Sequence, residues 1–179
     1  MPPAKGVRIR AREQEDLPAC VRTLRAVHDH DRYPMYWPDD PGNWLRPPSI
    51  IAAWVATGPS GSRADHGQQV LGHICVVSDV GADIAALTGF DGDQLAGVSR
   101  LFVAPGARGH GLGLGGRLLD RARTWAAGAG RQLVLDVVDE RSPAVALYER
   151  QGWRRIGDRV ASWTREQDSP VCERLYLQP

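Results

Sequence analysis

Between residues 107 and 123 the chain reads ARGHGLGLGGRLLDRAR, and five of the eight positions from 109 to 116 are glycine. Glycine loses more backbone freedom on folding than any other residue, so such a run is costly unless the fold needs it. An apolar run, GVSRLFV (97–103), precedes the segment. From Gly113 to Gly128, Leu114, Leu118, Ala122, Trp125 and Ala126 recur at helical spacing. Strand, glycine loop and amphipathic helix in that order tie a helix start to a strand end. Gly109, Gly111 and Gly113 alternate, and without Cβ atoms their backbone N–H groups can approach a bulky anion. The helix N-terminus adds donors and a positive dipole end. Arg108 adds a charged donor at the mouth of the loop. The pattern predicts a cradle for a phosphate or pyrophosphate; the competing reading is a glycine-rich turn that only allows tight helix–strand packing.

The flanking sequence supplies the rest of the architecture. GVRIRAREQED alternates Val7 and Ile9 with Arg8 and Arg10, a first strand. Asp16 suits a helix N-cap with Pro18 in the first turn, and Leu17, Val21, Leu24 and Val27 or His28 continue at helical spacing toward Asp31. DRYPMYWPDDPGNWLRPPS is a proline-rich structured loop with a short helix after Asp40. Residues 50–56 and 70–78 are strands joined by a polar hairpin loop, and a short helix is expected around Ile84 to Leu87. RQLVLDVV (131–138) is a buried strand. Ser142-Pro143 opens a helix through Arg150, ended by Gly152. WRRIGDRVASW and CERLYLQ are final strands. The expected fold is α+β: one mixed, mostly antiparallel, curved sheet flanked by helices, with residues 1–179 forming a single domain.

Composition narrows the function. Hydrophobic residues make 42% of 179, charged residues 24%, and net charge is +1, an ordinary globular balance without the basic excess of a nucleic-acid binder. Cys20, Cys75 and Cys172 are odd in number and have neither zinc nor disulfide spacing, so they read as small hydrophobes in a reducing compartment. No leader pattern and no apolar run approaching the ~20 residues of a membrane helix is present, so the expectation is a cytoplasmic protein with no membrane, nucleic-acid or metal partner. A homodimer is allowed.

Gly111 to Gly116 also fits G-x-G-x-x-G, with Asp136 about twenty residues on, where a dinucleotide fold places its ribose acid. APGARGH, however, separates the strand end at Val103 from Gly111, and fewer than seventy residues follow, too few for the rest of a doubly wound sheet. No Gly-Lys-Ser/Thr follows, which excludes a P-loop. A nucleotide thioester remains.

Residues 97–157 resemble the core of the GNAT superfamily of N-acetyltransferases. Arg108-Gly109-His110-Gly111-Leu112-Gly113 matches its Arg/Gln-x-x-Gly-x-Gly/Ala motif, and LFVAPGARGHGLG and ALYERQGWRRIG match the flanking strand and late helix. The resemblance implies direct acetyl transfer from acetyl-CoA to a primary amine of a small molecule or peptide. It implies that the backbone of Leu101, Phe102 and Val103 holds the pantetheine arm, and that residues 108–113 hold the pyrophosphate. Tyr148 matches the late tyrosine that protonates the leaving thiolate; the residue alone reads equally as a core aromatic whose hydroxyl finds a partner.

Two positions depart from the pattern. Arg141 stands where many relatives carry an asparagine that helps hold the cofactor arm, and the strand at 97–103 has no carboxylate to act as general base. Either a water chain takes the amine's proton or one of His28, Asp31 and His73 does, Asp31 being the best suited to a cationic amine. Residues 28–40 are expected to wall the acceptor pocket, with His28, Tyr33, Tyr36 and Trp37 offering contact surfaces and aromatic faces for a cation. A non-catalytic acyl-CoA-binding module is the alternative function.

Overall fold

The computed structural model describes residues 6–59, 68–109, 111–138, 143–161 and 170–179. Strand β1 is Arg8–Ala11, helix α1 Leu17–Asp31, α2 Pro41–Trp44, β2 Ile50–Pro59, β3 Gln68–Val77 and α3 Ala82–Thr88. There follow β4 Leu95–Val103, α4 Leu114–Gly128, β5 Gln132–Val137, α5 Pro143–Arg150, β6 Arg154–Val160 and β7 Cys172–Leu177. The strands form a seven-stranded mixed sheet in the order β1-β2-β3-β4-β5-β7-β6, flanked by helices. β1 is antiparallel to β2, and β7 to both β5 and β6, while β4 and β5 run parallel. This is the expected class, and every expected element outside the undescribed residues is present within a few positions. Ser142, the expected cap of α5, lies outside the described residues.

The chain divides into two units. The first is built from the segments up to Val76 and from Arg100 to Ala122, the second from Val77–Ser99 and from Arg123 onward. In the first unit, α1 turns Leu17, Cys20, Leu24 and Val27 inward, one residue every three or four, against Leu45, Val55, Val70 and Phe102. Fully burying a side chain such as Leu24 contributes about 1.5–3 kcal/mol. The Thr23 hydroxyl donates to the Val70 carbonyl at 2.7 Å, which satisfies a polar group inside that core. Asp16 precedes α1 as expected but does not cap it. Its carboxylate instead accepts from the Glu13 N–H (2.7 Å) and from both terminal nitrogens of Arg10 (2.6 and 2.7 Å), which fixes the turn out of β1.

In the second unit, Ile84 of α3 and Leu95 of β4 pack with Val134, Leu175 and Leu177. Strand alternation sets which residues share a face. Asp136 pairs with Leu175 and Leu135 with Tyr176, so Asp136 lies on the face of Val134 and Leu175, and Tyr176 on the other.

A candidate anion cradle and a buried tyrosine

In the first unit, β4 runs through Leu101, Phe102 and Val103, of which Phe102 is buried in the core. The loop then takes up left-handed backbone at Gly109 (φ 74°), Gly111 (φ 69°) and Gly113 (φ 55°). A Cβ built at any of the three meets nothing within 4 Å. Tight helix–strand packing therefore does not explain these glycines. What they provide is left-handed backbone at alternate positions, where the absence of a Cβ lets an anion approach the chain closely. The Gly113 carbonyl accepts from the Arg117 N–H at 3.0 Å, so α4 begins there, and the N–H groups of its first turn have no acceptor within the helix. Leu112 is half-buried between the glycines. His110 lies outside the described residues.

Arg108 is braced from two sides. Its Nε donates to the Val103 carbonyl at 2.9 Å and its Nη2 to Asp31 Oδ2 at 2.5 Å. Among the described residues, Nη1 has no partner and remains available to an anion. Asp31 ends α1, and Arg108, with a smaller contribution from His30, holds its carboxyl below the usual carboxylate range. A carboxylate held in this way is a weaker base than a free one.

The acceptor-loop residues are used in different ways. Pro34 offers only a carbonyl to His28 Nδ1 at 2.8 Å, so a neutral His28 ring carries its proton there and leaves Nε2 as the lone-pair nitrogen. Trp37 packs against His28 with ring centroids 5.4 Å apart, and the Arg25 guanidinium lies 4.5 Å from its ring centre. One face of Trp37 therefore already holds a cation from the protein itself. Tyr33 meets Trp44 edge-on at 6.1 Å, and Tyr36 is 59% exposed. Asp40 caps α2 by accepting from the Asn43 N–H at 2.9 Å.

His73 on β3 is fully buried, with both ring nitrogens engaged. Arg12 Nη1 donates to Nε2 at 2.8 Å, and Nδ1 donates to the Arg100 carbonyl at 2.9 Å. Burial pushes its pKa down to about 3, only partly offset by the bond to Arg100. A neutral imidazole with no open lone pair cannot take an amine's proton. The ring instead holds Arg100, whose backbone is left-handed (φ 51°) in the middle of β4. The Arg100 guanidinium is anchored as well: it lies 4.5 Å from the centre of the Trp44 ring, and its Nε donates to the Trp44 carbonyl at 2.5 Å. A non-glycine residue in this region costs on the order of 1–3 kcal/mol and persists where its surroundings over-determine it. Only a basic residue inside an apolar strand could have signalled this feature in the sequence.

In the second unit, Tyr148 sits on α5 with its ring 6.0 Å from Trp153 and 6.1 Å from Tyr176. Its side chain is buried, and among the described residues its hydroxyl has no hydrogen-bond partner. A core tyrosine ordinarily finds one. Burial, and then the Asp136 carboxylate, raise its pKa well above that of a free tyrosine, so it carries its proton throughout the physiological range. Asp136 itself shares Arg159 with two other carboxylates. Arg159 donates to Asp136 Oδ2 at 2.7 Å, to Glu173 Oε2 at 2.8 Å and to Asp83 Oδ2 at 3.4 Å.

Residues 29–153 match the model of the Acetyltransferase (GNAT) family. Among solved structures the chain is similar to Arabidopsis thaliana NAA60 in complex with a bisubstrate analogue, with 18% identity over 96% of each chain and a TM-score of 0.72. The same plant protein in complex with acetyl-CoA gives 17% identity over 96% of this chain and 98% of that one, with a TM-score of 0.70. The ribosomal-protein-S18-alanine N-acetyltransferase from Escherichia coli gives 18% identity over 97% and 93%, with a TM-score of 0.65. At these identities the likeness to each is one of fold. No curated protein matches the chain in sequence.

Proposed function

The chain belongs to the GNAT acetyltransferase family and is an acetyltransferase, and on that premise we propose that it moves the acetyl group of acetyl-CoA directly onto a primary amine of a small molecule or peptide. The observation that carries the reading is the loop from Arg108 to Gly113: three left-handed glycines with open space beside each, leading into the free first turn of α4. These residues suit the cofactor's pyrophosphate. Arg108 meets its charge through Nη1, while Asp31 and the Val103 carbonyl keep the guanidinium in place. The pantetheine arm pairs with β4 backbone at Leu101 to Val103, as an added strand would. Acetyl-CoA supplies the thioester when bound; the chain's own residues orient it, and orientation alone can lower the barrier by roughly 7–11 kcal/mol.

Tyr148 supplies the proton that the departing thiolate needs. Its hydroxyl is protonated at working pH and uncommitted among the described residues. Desolvation that raises a phenol also raises a thiol, so the two stay matched closely enough for transfer. Tyr33, Tyr36 and His28 line the acceptor side, with Trp37 as a packed wall. We place the protein in the cytoplasm.

Two measurements test the reading. Acetyl-CoA should raise the melting temperature by mass action, and NADH should not. A panel of small amines and peptide N-termini, incubated with protein and acetyl-CoA, should then yield a product heavier by one acetyl group. A melting shift with NADH and none with acetyl-CoA would refute the cofactor. Binding of acetyl-CoA without acetylation of any amine would favour a binding module instead.

A further inference from the structure

The reaction needs a group to take the amine's proton, and β4 has no carboxylate to do so. The second unit holds one on the neighbouring strand. The β4–β5 ladder registers Leu95–Val98 with Gln132–Leu135, so Asp136 is the first β5 residue beyond the last registered pair. It is close enough to Tyr148 for its charge to raise the phenol's pKa, yet the two approach from opposite sides of the sheet. Tyr148 packs on Tyr176, which shares a face with Leu135, while Asp136 shares the other face with Leu175.

From this placement we propose that Asp136 is the general base of the acetyl transfer, working opposite Tyr148; the inference rests on the function proposed above. The Tyr148 side chain is 6% exposed, packed between Trp153 and Tyr176. Asp136 thus offers a proton acceptor on one face of the sheet and Tyr148 a proton donor on the other.

The surroundings suit the task. Among the described residues, the charged and titratable groups around Asp136 are Arg159 on β6, Glu173 on β7, Asp83 on α3 and Tyr148 on α5. Asp136, Glu173 and Asp83 all meet Arg159, which gathers three carboxylates at this place, a setting suited to an ammonium group. Glu173 is 6% exposed and cannot exchange a proton with water readily, whereas the Asp136 side chain is 40% exposed. Desolvation of the carboxylate nonetheless raises its pKa, Glu173 raises it further, and Arg159 pulls it back. A carboxylate shifted in that direction is a better base than a free one.

The substrate ammonium gives one proton to the Asp136 carboxylate and becomes a free amine. The amine nitrogen attacks the thioester carbonyl carbon, forming the C–N bond. The adduct collapses with cleavage of the C–S bond, and Tyr148 protonates the thiolate. The remaining surplus proton on nitrogen restores the tyrosine through solvent. Asp136 sheds its proton to water through its exposed side, so one proton is released per turnover.

The test is Asp136→Asn, assayed with an amine that the wild type acetylates, over a range of pH. Turnover at pH 7 should fall about 100-fold or more, with acetyl-CoA affinity unchanged. The deficit should shrink as pH rises toward the amine's own pKa, because the substrate then arrives deprotonated. A purely structural role would give a deficit independent of pH. Should the asparagine variant not fold, Asp136→Glu keeps the charge on Arg159 and should retain measurable turnover with a displaced acid limb. A folded Asp136→Asn enzyme within about threefold of wild type, or one with the same deficit at every pH, overturns the base but leaves the proposed function standing. A wild-type protein that binds acetyl-CoA and acetylates nothing overturns both.

Discussion

Acidifying the solution should destabilise this fold through one residue, His73. Its imidazole is neutral in the folded chain with a pKa pushed down to about 3, against 6.5 for the free group. Between those values the unfolded chain binds a proton that the folded chain excludes. Stability from this site is therefore complete above pH 6.5 and is lost progressively as pH falls toward 3. At pH 5.5 the loss is about 1.4 kcal/mol and at pH 4.5 about 3 kcal/mol, a sizeable part of a typical domain's stability. Asp16 and Asp31 act in the same direction, because partners depress both carboxyls, but they begin to protonate only below about pH 4–5. Asp136, whose carboxyl burial raises, acts in the opposite direction, so the share of the imidazole is read as the difference between wild type and a variant without it. The comparison needs a variant that cannot titrate. His73→Asn keeps a donor for the Arg100 carbonyl and gives up the bond from Arg12, so it should be less stable than wild type at pH 7 and flatter between pH 6.5 and 4.5. Urea unfolding at a series of pH values measures both. Parallel pH profiles for wild type and variant would refute the neutral, fully engaged imidazole, and with it the argument that His73 cannot serve as a base.

Tyr148→Phe should leave folding and acetyl-CoA affinity near wild type while turnover drops roughly 10²- to 10⁴-fold; a loss within threefold, with chemistry rate-limiting, would remove the acid role. Gly111→Val should fold, since a Cβ there meets open space, but forcing a β-branched residue to φ 69° costs about 1–2 kcal/mol and closes the nest. Calorimetry should then detect no acetyl-CoA binding, and unchanged affinity in folded protein would disprove the cradle. Gly72→Ala should destabilise by about 1–3 kcal/mol, because its Cβ would sit 3.0 Å from the Phe102 carbonyl and 3.1 Å from Leu118; an unchanged urea midpoint would show that β4 can yield there.

Local chemistry makes much of this protein legible in its sequence. Alternation marks the strands, the 3.6-residue stripe from Leu114 to Ala126 marks α4, and Gly152 marks the end of α5. The glycines at 109, 111 and 113 announce left-handed backbone because no other residue adopts it so readily. Each of these is a property of a short stretch of chain, carried by its own residues.

The rest depends on which distant residues the fold brings together. Nothing in the sequence near Asp31 says that Arg108, 77 positions on, will claim its carboxylate. His73 is a plausible base by residue type alone, yet in the fold two distant arginines take up both its nitrogens. Asp136 has the spacing of the acid in a dinucleotide motif that the chain does not use. Its share of Arg159 follows from strand order and the pairing of β6 and β5 with β7, which a single sequence does not display. Proton affinity is set by burial and by neighbouring charge, and both are sums over the whole fold. Which titratable groups are buried, paired or left open is therefore decided by tertiary structure, whereas the sequence alone already marks the left-handed glycines.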